Sequence, residues 1–470
     1  MKVANSMGRI VLAGAIAFAC SQAYAGTAKN VILMISDGQG FNTVKATEYF
    51  TGSKAVYESF TVQGSMNTSS AGMSGGYVGK AYDPSKMWQD FNYQNLGATD
   101  SASAATAMYT GVKNYDNQIN KTTTGANLRT FFERAADQGK ATGAVSTVNF
   151  DHATPAAVVG HTTNRNDYTT ITSQMINSKL SVIMGAGNPN YDNKGTAVAA
   201  NYSIVGNQAN WNAITSGANG RTFVESKADF EALANGTLTT DKVFGVAQVR
   251  DTLQANRNTT GSMGNLNTNV PTLETMTKGA LNVLDNNPNG FAVMIEGGAV
   301  DWANHANRLG NTIEEQLDFN KAVKSVVDYL DSNTNGNNWE NTLLIVTADH
   351  ETGNLWGPTK GTFNQVVDNG VGNLPGAAYN SGSHTNALVP FYAKGAGSEL
   401  FAQYLTGTDP QIAGQYGVST AFNQYIDNTN VFSVMDAAMP VPEPETYALM
   451  LAGLGLVGFM ARRRASKSAR

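Results

Sequence analysis

Short apolar runs recur along this chain, and three of them end at a carboxylate. The pairs are residues 31–35 with Asp37, residues 291–295 with Glu296, and residues 342–347 with Asp349. Continuous apolar runs of this length are typical of strands that are buried on both faces of a parallel sheet. Because ligands bind beyond the carboxyl ends of such strands, we expect the three carboxylates to lie close together.

The segments between these runs change to a helical pattern. Residues 273–284 and 317–330 carry apolar side chains at the helical period, which predicts two amphipathic helices. We place Glu314 and Glu315 in the first turn of the second helix, where acidic groups complement the helix dipole. Further strands are predicted at 141–148, 180–184 and 388–393. This alternation predicts an α/β three-layer sandwich with a mainly parallel central sheet flanked by helices.

One long segment departs from this texture. Residues from about 186 to 270 are rich in Asn, Gly and Thr and contain few apolar runs. A chain of this length can bury a large core, in one elaborated domain or in two. We interpret the segment as an insertion in a single catalytic domain that covers residues 26–440.

The N-terminus carries a targeting signal. Basic residues precede an apolar run and then small residues, which is the order of a secretory signal peptide. We place the signal at residues 1–25, with cleavage after Ala25. Cleavage before Cys20, as in a lipoprotein, fits the preceding residues less well.

The C-terminus carries a second signal. Val441-Pro-Glu-Pro444 precedes an apolar stretch over 446–461 and then three arginines in succession. This order closely resembles the bacterial PEP-CTERM sorting signal, which an exosortase-type enzyme recognises. We therefore predict a sorting tail over 441–470 and an exported protein in the periplasm, at the outer surface or outside the cell. The apolar helix would attach it transiently to the inner membrane, and a plain C-terminal anchor is the alternative.

Composition excludes one class of function and limits the sources of stability. The formal net charge is −5 and only 14% of residues are charged, which does not fit a nucleic-acid-binding protein. Cys20 is the single cysteine and lies in the signal peptide. The exported protein would have no disulfide, so its core and bound metals must stabilise it.

The chain has only five histidines, and most of them stand in motifs that suit metal ligands. Asp301 and His305 are four residues apart and would share one face of a helix. Asp349 and His350 are adjacent at a predicted strand end, and His384 lies in a polar turn before another strand. Imidazole and carboxylate ligands together suit zinc.

Ser101 follows Asp100 and precedes small residues that can open a helix without crowding it. A serine at a helix N-terminus lies near unpaired backbone N–H groups, which suits attack on an anion such as phosphate. By itself, the local sequence is more typical of an ordinary helix cap. The neighbouring motifs decide between the two interpretations.

Five segments together resemble the alkaline phosphatase family, in the family's order and over most of residues 28–395. They are Val31-Ile-Leu-Met-Ile-Ser-Asp-Gly38, Ala98-Thr-Asp-Ser-Ala-Ser-Ala-Ala-Thr-Ala107, Asp151-His-Ala-Thr-Pro155, Glu296-Gly-Gly-Ala-Val-Asp-Trp-Ala-Asn-His305 and Thr347-Ala-Asp-His350. The resemblance implies an exported, metal-dependent phosphomonoesterase that forms a covalent phosphoserine at Ser101 and releases inorganic phosphate. Small-molecule phosphate monoesters would be its substrates, and a homodimer is common in the family.

The resemblance also implies a role for each site residue. Ser101 would be the nucleophile, Arg165 would clamp two phosphate oxygens, and Asp100 would orient the site without binding metal. Two zinc ions and one magnesium ion would be the cofactors. Their ligands would be Asp301, His305 and His384 for the first zinc, Asp37, Asp349 and His350 for the second, and Asp37, Thr154 and Glu296 for the magnesium.

Two positions depart from the best-known bacterial pattern. His152 stands where many members have aspartate, and Trp302 stands where some have lysine. His152 either assists the third metal site or the substrate, or is an ordinary hydrogen-bonded histidine, so the identity of the third ion stays open. Trp302 either borders the substrate or packs in the core. His161 has no matching ligand role, and we treat it either as structural or as a support for a ligand residue.

Other functions use the same scaffold. Phosphodiesterases commonly have a threonine nucleophile and lack the magnesium-site residues, and the Cys/Ser-x-Pro-x-Arg motif of sulfatases is absent at Ser101. A surface or matrix protein built on a degenerate phosphatase scaffold would have lost ligands, and none is missing here. The sequence therefore favours the phosphomonoesterase.

Overall fold

The computed structural model describes residues 28–76, 79 and 82–439. Its strands are β1 (Asn30–Ser36), β2 (Val62–Asn67), β3 (Ala141–Asn149), β4 (Val182–Ala186), β5 (Thr222–Val224), β6 (Val243–Val246), β7 (Phe291–Gly297), β8 (Thr342–Thr347), β9 (Glu351–Thr352), β10 (Leu355–Trp356), β11 (Ala378–Tyr379), β12 (His384–Thr385), β13 (Val389–Gly395), β14 (Gly407–Thr408) and β15 (Gln424–Asp427). Its α-helices are α1 (Phe41–Thr51), α2 (Pro84–Met87), α3 (Phe91–Gln94), α4 (Ser101–Thr110), α5 (Phe131–Asp137), α6 (Ala153–Ala156), α7 (Tyr168–Asn177), α8 (Gln208–Thr215), α9 (Lys227–Ala234), α10 (Leu273–Leu284), α11 (Ala299–His305), α12 (Leu309–Asp331), α13 (Ile412–Tyr416) and α14 (Thr429–Ala438).

The main sheet of the described residues has 11 strands in the order β14-β15-β2-β13-β8-β1-β7-β3-β4-β6-β5. Every neighbouring pair from β8 to β5 is parallel. In contrast, β13 is antiparallel to both of its neighbours. The sheet is therefore mainly parallel, as the sequence predicts.

Helices cover both faces of this sheet. In β1, Val31, Leu33 and Ile35 lie in one apolar cluster, whereas Ile32 and Met34 lie in another, because successive side chains of a strand point to opposite faces. Side chains of α4, α5, α7 and α14 complete the first cluster, and those of α10 and α12 complete the second. The predicted three-layer sandwich is confirmed.

The long helix α12 begins earlier than its apolar pattern indicates. It starts at Leu309, so Glu314 and Glu315 lie in its second turn, and our placement of them in the first turn was wrong. The first turn is held by polar contacts that apolar periodicity does not reveal. Thr312 donates to Asn304 Oδ1 over 2.9 Å, for example, and both side chains are buried.

Glu315 is a buried acid in α12 that makes the stability of the fold depend on pH. Its side chain is buried, and its Oε1 atom has no hydrogen-bond partner among the described residues. Burial, together with the charge of Asp318, raises the pKa of Glu315 to about 8. The folded protein therefore favours the protonated carboxyl. This stabilising contribution is full below about pH 4.5, the ordinary pKa, and is lost as the pH rises to about 8.

We expect Glu315→Gln, which stays neutral, to gain stability relative to the wild type as the pH rises from about 5 to about 9, by on the order of 3 kcal/mol. Urea unfolding at both pH values measures the difference. Glu340→Gln changes an exposed glutamate and is the matched control, with no such gain expected. The prediction is wrong if Glu315→Gln and the wild type keep the same difference in unfolding free energy at both pH values.

Of the three remaining predicted segments, one lies in the described structure and two lie outside it. Residues 186–270 contribute β5 and β6 to one edge of the main sheet, and their assignment as an insertion stays a prediction. The signal peptide over 1–25 and the apolar helix over 446–461 lie outside the described residues. Among the helices that are described, none is long and apolar enough to cross a membrane.

Candidate active site

Three buried carboxylates lie at the carboxyl ends of the neighbouring strands β8, β1 and β7. They belong to Asp349, Asp37 and Glu296, and all three side chains are fully buried. Burial, reinforced by the negative charge of Asp349, raises the pKa of Asp37 well above its usual range. Burial also raises the pKa of Glu296 to about 8. Such a group of acids is costly unless positive charge compensates it.

A close approach of two chain segments brings a fourth carboxylate to this group. Gly38 follows Asp37 with a φ of 75°, and a Cβ atom there would lie 2.7 Å from the Asp301 Cα atom. Only glycine therefore allows the end of β1 to approach α11 so closely. The Gly38 backbone N–H donates to Asp349 Oδ1 over 3.2 Å, which ties the two strand ends together.

Asp301, His305 and His384 form the first cluster with metal-ligating atoms. The imidazole Nε2 atoms of His305 and His384 lie 3.4 and 3.5 Å from Asp301 Oδ1 and 3.0 Å from each other. The Nδ1 atoms instead lie 2.7 Å from the Gly382 carbonyl and 2.8 Å from the Thr99 carbonyl. An Nδ1–H that donates to a carbonyl leaves the Nε2 lone pair free for a cation.

The electrostatics of this cluster favour positive charge. Burial by itself lowers the pKa of His384, but the hydrogen bond and the charge of Asp301 raise it to about 9. Burial by itself raises the pKa of Asp301, but His384 and the other nearby imidazoles bring it below its usual range. Asp301 therefore stabilises positive charge at His384, and a metal cation bound there would take the place of the proton.

His350 joins a second cluster with Asp37, Asp301 and Asp349. Its Nε2 atom lies 3.6 Å from Asp37 Oδ1 and 3.2 Å from Asp349 Oδ2. One oxygen each from Asp37 and Asp301 lies within 4.8 Å of a His350 ring nitrogen, so Asp301 belongs to both clusters. Burial lowers the pKa of His350 well below its usual value, which keeps the imidazole neutral and able to bind a cation.

A third group of oxygen atoms surrounds Glu296. Thr154, in α6, is buried, and its Oγ1 atom has no hydrogen-bond partner in the described part of the chain. The same holds for Glu296 Oε1, whereas Glu296 Oε2 accepts a short hydrogen bond from Ser146. Both carboxylate oxygens of Asp37 also lack a hydrogen-bond partner there. Hard oxygen ligands of this kind suit magnesium.

Ser101 is the first residue of α4 and faces the second cluster. Its Oγ atom lies 3.3 Å from His350 Nε2, and its side chain is only 2% exposed. Asp100 is the N-cap and accepts a hydrogen bond of 2.9 Å from the Ser103 backbone N–H. The helix is buried on all sides, which explains its small residues. Ser101 is therefore held at a helix N-terminus beside candidate metal ligands.

Arg165 contacts Asp100, the residue that precedes Ser101. It donates from Nη1 to Asp100 Oδ2 over 2.9 Å, while its Nη2 atom lies 3.3 Å from His152 Nε2. Burial, reinforced by the charge of Arg165, lowers the pKa of His152 to about 3, so this histidine is neutral. The His152 and Trp302 rings pack edge to face, with their centroids 5.6 Å apart. His152 therefore contacts Arg165 and Trp302, while its buried Nδ1 atom has no hydrogen-bond partner among the described residues.

Ser101, Arg165 and the first cluster line a cavity of about 470 Å³, whereas Asp37, Thr154, Glu296, Asp349 and His350 are not among its lining residues. Its lining residues are Ser101, His152, Arg165, Asn256, Asp301, Trp302, His305 and His384. The sequence predicts all of them except Asn256, whose asparagine-rich surroundings carry no distinguishing signal. His161 does not line this cavity and instead pairs with Glu133 over 2.9 Å.

Thr352 is a second residue that the sequence does not indicate. Its hydroxyl donates to Asp301 Oδ1 over 2.6 Å and lies 3.2 Å from His350 Nδ1. Thr352 thus links one residue from each histidine-containing cluster. A threonine in a short strand is common, so nothing in its local sequence marks this role.

Comparisons with known proteins identify a family and a sorting motif. The family model for alkaline phosphatase matches residues 28–403, and the PEP-CTERM protein-sorting motif matches residues 440–464. Alkaline phosphatase 3 of Bacillus subtilis is 28% identical over 345 residues, which are 72% of this chain and 64% of that protein. The chain thus spans slightly less than two thirds of that relative.

Two further similarities concern sequence and fold. Alkaline phosphatase of Escherichia coli is 28% identical over 355 residues, which are 69% of this chain and 70% of that protein. The structure of alkaline phosphatase from the Antarctic bacterium TAB5 has a TM-score of 0.62 at 24% identity, and the match covers 89% of this chain and all of that one (100%). The similarity to the TAB5 structure supports the fold described above.

Proposed function

The chain belongs to the alkaline phosphatase family, and we propose that it is an exported, metal-dependent phosphomonoesterase with a covalent phosphoserine at Ser101. One observation carries the proposal: Ser101 and Arg165 line the same cavity as Asp301, His305 and His384, which form a metal-ligand cluster. Phosphoryl transfer of this kind requires a nucleophile, a cationic side chain that binds phosphate, and residues that bind metal ions.

The residues fit divalent cations. Asp37, Thr154 and Glu296 bury oxygen atoms that lack hydrogen-bond partners in the described part of the chain, and cations would satisfy them. We propose zinc at the Asp301, His305 and His384 cluster, zinc at Asp37, Asp349 and His350, and magnesium at Asp37, Thr154 and Glu296. Ions bound there would act as Lewis acids that lower the pKa of the serine hydroxyl and of water and offset negative charge.

Arg165 would bind the phosphate before the reaction. Its guanidinium is already oriented by Asp100 at 2.9 Å, and its planar shape allows two parallel hydrogen bonds to two phosphate oxygens. The neutral His152 beside it can accept a hydrogen bond from Nη2 over 3.3 Å, which also orients the guanidinium. Asp100 therefore acts as an orienting residue that also caps the helix of the nucleophile.

Ser101 would accept the phosphoryl group from the ester and then pass it to water. Its Oγ atom attacks phosphorus and gives its proton to solvent, the ester bond breaks, and the departing alcohol oxygen takes up a proton from water. Water then attacks the phosphoserine, which releases inorganic phosphate and restores the hydroxyl. Backbone N–H groups at the start of α4 would hold the phosphate oxygens during both steps.

The sorting motif supports export. Recognition by an exosortase-type enzyme, transient inner-membrane attachment through residues 446–461, and location in the periplasm, at the outer surface or outside the cell are part of the proposal. The homodimer also stays a prediction.

The proposed activity is tested by comparing an aryl phosphate monoester with the corresponding bis-aryl diester. We expect the monoester to be hydrolysed with much higher kcat/KM, because Arg165 and the proposed magnesium ligands suit a dianionic phosphate. Faster hydrolysis of the diester would contradict the proposal and favour a phosphodiesterase.

We expect Arg165→Lys to lower kcat/KM for the monoester by roughly 10- to 100-fold, because lysine retains the charge but cannot form the paired hydrogen bonds. Inhibition by inorganic phosphate should weaken in parallel. Lys179→Arg, at an exposed ion pair with Asp137, is the matched control and should behave as the wild type. An Arg165→Lys variant within threefold of wild-type kcat/KM would remove Arg165 from phosphate binding.

A further inference from the structure

We propose that Asn256 selects the alcohol part of the substrate, and that sugar phosphates are the preferred class. In this arrangement one face of the sugar ring packs against Trp302, and the sugar hydroxyl groups hydrogen-bond to the Asn256 amide. The inference rests on the proposed phosphomonoesterase function and names a substrate class for that site.

The backbone of Asn256 is held firmly from both sides. The residue lies in a short 3-10 helix, Ala255–Arg257, and its backbone N–H donates to Thr252 Oγ1 over 2.9 Å. Ala255 is buried in a small apolar cluster. Arg257, only 5% exposed, pairs with Glu314 of α12. Asn256 is therefore fixed by its neighbours, although it stands in a loop region.

The side chain of Asn256, in contrast, is available to a ligand. It is half-buried, lines the cavity, and makes no side-chain hydrogen bond to any described residue. An asparagine amide offers two N–H donors and a carbonyl acceptor. A polar group that is fixed in position but has no partner in the protein is suited to orient a ligand.

In this proposal, different residues of the cavity lining contact the phosphate and the alcohol of the substrate. Ser101 and Arg165, together with the first cluster of candidate metal ligands, are the groups proposed to hold the phosphate. Trp302 packs against the apolar cluster that contains Ala255, the residue before Asn256. Trp302 and Asn256 thus belong to the same wall, which would face the alcohol of a bound monoester.

The chemistry of this wall favours a sugar over a plain aryl alcohol. An aromatic ring packs well against the C–H face of a sugar, and an amide can both donate to and accept from its hydroxyl groups. An aryl alcohol would use the ring alone and leave the amide without a partner. A site that hydrogen-bonds a substrate hydroxyl discriminates against analogues that lack it.

The test compares glucose 6-phosphate with phenyl phosphate in the metal-loaded wild type and in Asn256→Ala. We expect the variant to lose roughly tenfold in kcat/KM for glucose 6-phosphate, as expected for one or two lost hydrogen bonds, and less than about twofold for phenyl phosphate. Competitive inhibition by inorganic phosphate should stay within about twofold, because the proposal gives Asn256 a contact with the alcohol and none with the phosphate. Asn212→Ala, an exposed asparagine on α8, is the matched control and should change neither substrate. Asn256→Leu, which keeps the shape without the amide, gives a second test if the alanine variant folds poorly.

Equal losses with both substrates, or weaker inhibition by inorganic phosphate in step with the loss, would overturn the role of Asn256. If instead the proposed phosphomonoesterase function is wrong, the wild type itself will hydrolyse neither monoester, which is a different result. Hydrolysis of both by the wild type, with no change of preference in the variants, would refute only the present inference.

Discussion

Removal of divalent cations should abolish phosphomonoesterase activity and destabilise the fold. Asp37, Glu296, Asp301 and Asp349 bury four carboxyl groups at one point, and oxygens of Asp37 and Glu296 have no hydrogen-bond partner among the described residues. Without cations, these groups must take up protons or repel one another. A ligand present at about 1,000 times its Kd stabilises the folded state by about 4 kcal/mol, so we expect the melting temperature to fall by several degrees.

The measurement is activity and thermal unfolding after chelation, with metal content checked by elemental analysis. The chelator already saturated with zinc is the control for effects unrelated to metal removal. Restoring zinc and magnesium together should recover both activity and melting temperature. A metal-free protein with unchanged activity and unchanged melting temperature would contradict the metal-dependent account.

Replacement of the nucleophile should have the largest effect of any single substitution. Ser101 Oγ lies 3.3 Å from His350 Nε2 at the start of α4, and no other hydroxyl group lines the cavity among the described residues. We expect Ser101→Ala to lower kcat by at least about 10³-fold and to remove phosphoenzyme formation, since loss of a nucleophile forfeits the covalent route. The fold should persist because the substitution deletes one oxygen atom from a helix already rich in alanine.

Ser433→Ala is the matched control. Ser433 lies on α14, and its hydroxyl donates to the Thr429 carbonyl within the same helix. It should keep wild-type turnover. Full turnover in Ser101→Ala, with the variant shown to be folded, would remove Ser101 from the mechanism.

The strand ends were predictable because a simple pattern marks them. A strand buried on both faces is mostly apolar, so the first charged residue after it indicates the edge of the sheet. Asp37 and Asp349 stand at such positions and lie in the same buried cluster. Their ligand roles, together with the other assigned site residues, remain proposals, whereas the mainly parallel sheet that carries them is confirmed.

Other features depend on contacts between distant segments and leave no local signal. Asn256 reaches the cavity because Arg257 pairs with Glu314 of α12, which lies 57 residues further along the chain. Thr352 joins Asp301 to His350 only through the tertiary arrangement of α11 and β9. The early start of α12 was missed for the same reason, because buried polar contacts hold its first turn.

Identification of the phosphorylated residue is the most direct test of a covalent phosphoserine at Ser101. The metal-loaded protein is mixed with a phosphate monoester, quenched in acid during turnover, digested and mapped by mass spectrometry. We expect phosphate on the peptide that contains Ser101, at Ser101 itself, and none in the Ser101→Ala variant. Phosphate on another residue, or rapid turnover of the monoester with no covalent phosphate at any point in the time course, would contradict it.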